Sequence, residues 1–242
     1  MSASATSRDL SQSPFLQAAR GETPSHTPVW FMRQAGRSLP EYLKVREGVQ
    51  MLDACMNAEL ITEITLQPVR RYGVDAAIFF SDIVLPLKAA GLDIDIKPGV
   101  GPVVASPVRT LADVEAIPTL TAEDLPFITD AIRSLTAELG SMGEQGTPLI
   151  GFAGAPFTVA SYLVEGGPSK EYAKTKALMF GAPEIWSALM EKIADMSATF
   201  LEVQVAAGAS AVQLFDSWAG AVHPDDYARY VAPYSANVLA RA

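Results

Sequence analysis

An α/β fold built on parallel strands is what this sequence predicts, and three observations carry the prediction. Short runs rich in β-branched and aromatic residues alternate with long stretches of helical periodicity, the pattern of successive βαβ units. The chain has 242 residues, 49% of them hydrophobic, enough for one sizeable core and near the ~250 residues of an α/β barrel. Charged residues make up 19%, a globular rather than a disordered composition.

The elements follow in order. Residues 1–12, MSASATSRDLSQ, lack the apolar core of a secretory signal and read as a flexible leader. Four core strands are expected, over residues 28–32 (PVWFM), 76–83 (AAIFFSDI), 148–153 (PLIGFA) and 211–215 (AVQLF). Residues 57–72 carry Leu60, Ile61, Ile64, Leu66 and Val69 at helical spacing and close on Arg70-Arg71-Tyr72-Gly73, cations followed by a C-cap glycine. Residues 121–139 open on a Thr-x-x-Asp cap and stop at Gly140, and residues 183–207 run from a helix-initiating proline to Gly208. Both are expected as crossover helices. Residues 91–104 alternate apolar and polar side chains around Pro98-Gly99, which predicts an added hairpin. The final Leu239-Ala240-Arg241-Ala242 continues a helical pattern without a C-cap signal. Together these elements predict one domain over residues 1–242, shortened to about the first four βα units.

The bulk properties narrow the function. Net charge is −9 with a pI near 4.7, and the 18 lysines and arginines form no basic run, so nucleic acid is not an expected partner. An acidic protein that binds an anionic ligand has to concentrate cations locally. Cys55 is the one cysteine, which rules out an intrachain disulfide and a Cys-based structural zinc site and fits the cytosol. No stretch approaches the ~18 to 20 apolar residues of a membrane span.

Four places carry candidate chemistry. Directly after the first expected strand stands Trp30-Phe31-Met32-Arg33-Gln34-Ala35-Gly36-Arg37, at the strand end where a parallel barrel meets its ligand. Arg33 and Arg37, four residues apart, can each grip a carboxylate in bidentate fashion, and Gly36 allows close backbone approach. The bland alternative is an exposed arginine pair. Asp82 ends the apolar run Ile78-Phe79-Phe80, either as a cap for the next segment or as a carboxylate at a barrel mouth. Tyr162 reads as a core tyrosine or a ligand contact, and Ser217 as a helix cap or a ligand contact.

The fifteen residues 28–42, PVWFMRQAGRSLPEY, are similar to the N-terminal signature of the uroporphyrinogen decarboxylase family. The likeness continues through Phe79-Phe80-Ser81-Asp82-Ile83, through Gly151-Phe152-Ala153-Gly154-Ala155-Pro156-Phe157-Thr158 with Tyr162, and through Phe215-Asp216-Ser217-Trp218-Ala219-Gly220. It covers roughly residues 10–242. The resemblance implies a (β/α)8 TIM barrel that removes the acetate carboxyls of a porphyrinogen without cofactor or metal, because a protonated pyrrole is its own electron sink. It implies that Arg33, Gln34, Ala35, Gly36 and Arg37 bind the substrate, and that Asp82 faces the pyrrole N–H groups and stabilises the cationic ring, with Arg37 beside it as the second catalytic group. It also implies that Tyr162 and Ser217 hydrogen-bond substrate carboxylates, that the turn after Gly154 approaches the macrocycle edge, and that the enzyme is a cytoplasmic homodimer. The family's C-terminal histidine has no counterpart here: His26 precedes the first strand, and His223 reads as a loop or capping residue. Two rival readings are a non-catalytic tetrapyrrole-binding fragment and a zinc- and cobalamin-linked methyltransferase of the same superfamily, against which stands Cys55 without a histidine at ligand spacing.

Overall fold

A computed structural model describes residues 9–32, 39–143 and 145–242. In chain order the elements are α1 (Pro14–Ala19), α2 (Pro40–Val45), α3 (Met51–Cys55), α4 (Ala58–Tyr72), β1 (Ala77–Ile78), α5 (Leu85–Ala89), β2 (Ile94–Lys97) and β3 (Gly101–Val104). There follow α6 (Leu111–Glu115), α7 (Pro126–Leu139), β4 (Leu149–Gly154), α8 (Pro156–Glu165), α9 (Ala173–Gly181), α10 (Pro183–Ala207), β5 (Ala211–Phe215), α11 (Pro224–Tyr230) and α12 (Ala232–Arg241). One sheet has the order β1-β4-β5, with Ala77 opposite Leu149 and Ile78 opposite Ile150 in parallel register. Parallel strands joined through helices are the arrangement from which a (β/α)8 barrel is built, so the expected α/β class is the observed one.

The chain forms two compact units. The first takes the residues up to Ser81, Pro126–Phe152 and Val203–Gln213. Its α4 is capped at both ends: Asn57 Oδ1 accepts the Leu60 N–H at 3.0 Å, and Gly73, at φ 60°, returns its N–H to the Val69 carbonyl at 2.9 Å. Ile61, Ile64, Leu66 and Val69 of α4 are buried, as are Ile128, Ala131, Ile132, Leu135 and Leu139 of α7, an i, i+3, i+4, i+7 stripe. Arg70 spans α4 and α7 by bonding Glu63 at 2.8 Å and Glu138 at 3.0 Å. Every residue of β4 is buried, which accounts for its unbroken apolar sequence. The fully buried Gln204 acts toward β4 as a substitute strand: its Oε1 accepts the Phe152 N–H at 2.8 Å and its Nε2 donates to the Phe152 carbonyl at 2.9 Å. Gly151 leaves room for it, since a Cβ there would stand 2.6 Å from Gln204 Oε1.

The second unit takes Asp82–Leu125, Ala153–Glu202 and Leu214–Ala242. Residues 91–104 form the expected hairpin, β2 and β3 pairing antiparallel from Ile94 opposite Val104 to Lys97 opposite Gly101, with Gly99 at φ 75° in the turn. Phe157 of α8 meets Trp186 of α10 edge to face, and Trp186 Nε1 donates to the Tyr230 carbonyl at 3.0 Å, so the largest core side chain is packed and hydrogen-bonded at once. Arg241 ties α12 to α10 through Asp195 at 2.8 Å and Glu202 at 3.0 Å.

Four segments differ from expectation. Residues 28–32 are not a strand: the Val29 N–H goes to the Asp75 carboxylate at 2.7 Å, and only its carbonyl receives a backbone N–H, that of Asp75 at 2.9 Å. The strand expected over 76–83 is two residues long. The Phe79 N–H still reaches the Ile150 carbonyl, but the next groups of β4 on that side, the Phe152 N–H and carbonyl, are both taken by Gln204 and the ladder stops. The helix expected from residue 121 begins only at Pro126, because Thr121 and Asp124 close a short 3-10 turn and proline holds Leu125 away from helical geometry. Residues 10–12, expected within the leader, form a 3-10 turn capped by Asp9.

Candidate active site

Asp82 leaves the end of β1 half-buried. Its Oδ1 accepts the Val84 N–H at 3.0 Å and its carbonyl accepts the Leu85 N–H at 3.1 Å, so residues 82–85 form a tight turn into α5. Asp82 therefore caps the turn ahead of α5 rather than the helix itself, whose N-cap is Val84, and the same bond fixes the direction of its carboxylate. The next residue, Ile83, packs on Gly154 so closely that a Cβ on that glycine would lie 2.9 Å from Ile83 Cβ and 2.6 Å from Val159 Cγ2.

Gly154 ends β4 and its carbonyl accepts the Ser197 hydroxyl at 2.9 Å. Ala155 is extended, at φ −69° and ψ 151°, and Pro156 starts α8, so the expected tight turn is made in one residue. α8 is buried throughout except at Tyr162 and Glu165, the former half-buried on the turn after Thr158.

β5 ends at Phe215, whose carbonyl accepts the Ala155 N–H at 2.8 Å. Beyond it, Asp216 Oδ1 accepts the Thr158 hydroxyl at 2.6 Å, while Thr158 Oγ1 itself accepts the Trp218 N–H at 3.2 Å. Asp216 Oδ2 is buried with no hydrogen-bond partner among the described residues. Burial pushes the Asp216 carboxyl above its ordinary value, and the Thr158 hydrogen bond offsets part of that rise. The Trp218 ring lies 4.1 Å from Tyr162 and 4.9 Å from Tyr172, centroid to centroid. Tyr172 holds φ 52°, the one positive φ outside glycine among the described residues, a backbone state that costs a side-chain-bearing residue energy and has to be held by its surroundings.

The second unit thus contains Asp82, Tyr162 and Ser217. Tyr162 is brought onto Trp218, the Asp82 turn onto Gly154, and Ser217 is solvent-exposed in the turn after β5. Arg33, Gln34, Ala35, Gly36 and Arg37 lie outside the described residues. His223 caps α11 by accepting the Asp225 N–H at 3.3 Å, as expected of it, and His26 pairs with Asp75 at 2.8 Å. Cys55 is buried, and among the described residues no group of three or more His, Cys, Asp or Glu is placed to hold a metal. Sequence reasoning passed over Thr158, Asp216, Trp218 and Tyr172, although Asp216 closes the apolar run Ala-Val-Gln-Leu-Phe just as Asp82 closes Ile-Phe-Phe. Chemically the unit offers an oriented carboxylate, a second carboxylate biased toward its neutral form, hydroxyl donors and an aromatic surface.

The family model for uroporphyrinogen decarboxylase matches residues 10–242. The chain belongs to that family. A curated relative named uroporphyrinogen decarboxylase, from a Nocardioides species, is 75% identical over 233 residues, covering 96% of this chain and 66% of its own length. Relatives of the same name from Streptomyces griseus and Thermobifida fusca are 65% and 62% identical, over 94% and 96% of this chain. The chain spans 61% and 63% of those two proteins. Among solved structures, a methyltransferase from Methanosarcina mazei superposes with a TM-score of 0.69 at 20% identity, over 92% of this chain and 64% of that one. At that identity the likeness is one of fold. Among the described residues no helix is long and apolar enough to cross a membrane.

Proposed function

We propose that the protein carrying this chain decarboxylates the four acetate side chains of uroporphyrinogen III to give coproporphyrinogen III, within tetrapyrrole synthesis, as a cofactor-independent carboxy-lyase. The observation that carries the reading is Asp82, a half-buried carboxylate held in one direction by the Val84 N–H in a chain of this family. In the proposed reaction a pyrrole ring carbon is protonated, the ring becomes an electron sink, the C–C bond to the carboxylate breaks with loss of CO2, the resulting exocyclic methylene takes up a proton to become the methyl group, and the ring carbon gives up its added proton to restore the pyrrole. Asp82 faces the macrocycle N–H groups and stabilises the positive charge as it develops. Arg33 and Arg37, with the Gln34-Ala35-Gly36 backbone between them, clamp substrate carboxylates, and Arg37 stands beside the reacting group. Tyr162 and Ser217 hydrogen-bond further carboxylate arms.

The same reading includes one barrel domain over residues 1–242, a homodimer, and a cytoplasmic location. Chromatographic conversion of uroporphyrinogen III to coproporphyrinogen III, with and without EDTA, tests it. Product should form at the same rate in both. Tight porphyrin binding without product, or activity lost on chelation and restored by zinc, overturns it.

A further inference from the structure

α8 presents Thr158 and Tyr162 one helical turn apart, and the turn after β5 grips both. Thr158 gives its hydroxyl proton to Asp216 Oδ1, which leaves an oxygen lone pair for the Trp218 N–H. A hydroxyl rotates freely unless its acceptor is fixed, so Asp216 sets the direction in which Thr158 receives that N–H. With its backbone held there, Trp218 lays its ring on Tyr162 at 4.1 Å, with Tyr172 against the same indole at 4.9 Å. Tyr162 is the one aromatic residue of α8 outside its buried set. A ring fixed in advance binds at a lower entropic cost.

We propose that Asp216, Thr158 and Trp218 are positioning residues that hold the Tyr162 ring ready for a substrate carboxylate. The proposal rests on the reading of Tyr162 given above. None of the three touches substrate in it. Tyr172 supports the indole, and its strained backbone is retained because the ring is needed there.

A double-mutant cycle on uroporphyrinogen III turnover by the protein carrying this chain tests the link. Tyr162→Phe should raise KM about tenfold, the loss of one hydrogen bond to a charged group, with kcat changing much less. Trp218→Leu should raise KM similarly in the wild-type background and add nothing in the Tyr162→Phe background. Thr158→Val should follow Trp218→Leu, and Thr158→Ser, which keeps the hydroxyl, should restore KM. If Trp218→Leu does not fold, Trp218→Met supplies the same corner of the cycle. Fully additive effects of positions 162 and 218 overturn the positioning role while leaving Tyr162 as a substrate contact. A Tyr162→Phe variant with unchanged KM overturns the underlying reading as well. Near-UV circular dichroism, which needs no turnover, reads the ring contact directly: Thr158→Val should alter the aromatic band, and an unaltered band overturns the link.

Discussion

Thr158 donates its hydroxyl proton to one oxygen of Asp216 across 2.6 Å, and the other oxygen of that carboxylate is buried without a partner among the described residues. Half of the group is thus satisfied and half is desolvated, and burial outweighs the hydrogen bond in pushing its carboxyl upward. A group whose folded pKa is raised adds stability below its unfolded pKa, ~3.9 for Asp, and that contribution is lost as pH rises through the folded value. Ionised Asp216 therefore costs stability at neutral pH. Asp216→Asn keeps the acceptor for Thr158 and removes the charge. Its melting temperature should exceed the wild-type value at pH 7, with the gap closing as pH falls toward 4. Melting curves across that range check this, and a gap that widens on acidification contradicts it.

The proposed reaction gives Asp82 a second role beside its turn, and substitution can separate the two. Asn retains the oxygen that accepts the Val84 N–H, so Asp82→Asn should fold with close to wild-type stability, whereas Asp82→Ala should lose about 1 kcal/mol with that hydrogen bond. Turnover should fall by ~10²-fold or more in Asp82→Asn, as when a preorganised electrostatic partner is removed. Asp82→Glu should keep measurable activity. Undiminished turnover in the Asn variant reduces Asp82 to its cap.

The proposed function divides the arginines by purpose. Arg33→Ala and Arg37→Ala should each weaken porphyrinogen binding by about 2 to 5 kcal/mol, the cost of removing a buried charged hydrogen bond from a ligand site. Arg70 bonds Glu63 and Glu138 with all three side chains nearly half exposed, so Arg70→Ala should leave binding unchanged and cost at most ~1 kcal/mol of stability. Equilibrium titration with uroporphyrin distinguishes the two classes, and equal binding by all three variants ends the anion-clamp argument.

Gln204 should be among the least tolerant polar positions. Gln204→Leu removes its buried bonds to both the N–H and the carbonyl of Phe152, at a cost of about 1 to 3 kcal/mol for each. Gly151→Ala should approach the same loss, because its Cβ would meet Gln204 Oε1 at 2.6 Å. Urea unfolding measures both, and midpoints equal to wild type would show that the Gln204 bridge contributes nothing.

The end of α4 and both ends of α10 were legible in the sequence, because Gly73, Pro183 and Gly208 mark them by local chemistry alone, while α4 starts one residue later than expected, behind an Asn57 cap. The hairpin was legible from Pro98-Gly99 for the same reason. Two of the misread elements were decided by a distant side chain. The apolar run at 28–32 looks like a strand until Asp75 takes the Val29 N–H, and the β1 ladder stops where Gln204 takes the N–H and carbonyl of Phe152. At the site, Asp82 stood out because an acid ends an apolar run. The Asp216–Thr158 bond joins residues 58 apart, a relation that one-dimensional spacing does not display, so the support beneath Tyr162 was invisible while Tyr162 itself was not.

The substitute strand offered by Gln204 also has a consequence in time. Its bonds to Phe152 join positions 52 residues apart, so a ribosome adding ~5 to 20 residues per second leaves the Phe152 N–H and carbonyl without Gln204 for about 3 to 10 s. The earlier strand β1 is already made when Leu149 and Ile150 emerge, so it is the end of β4 that waits. Slowed translation within residues 155–204 lengthens that wait.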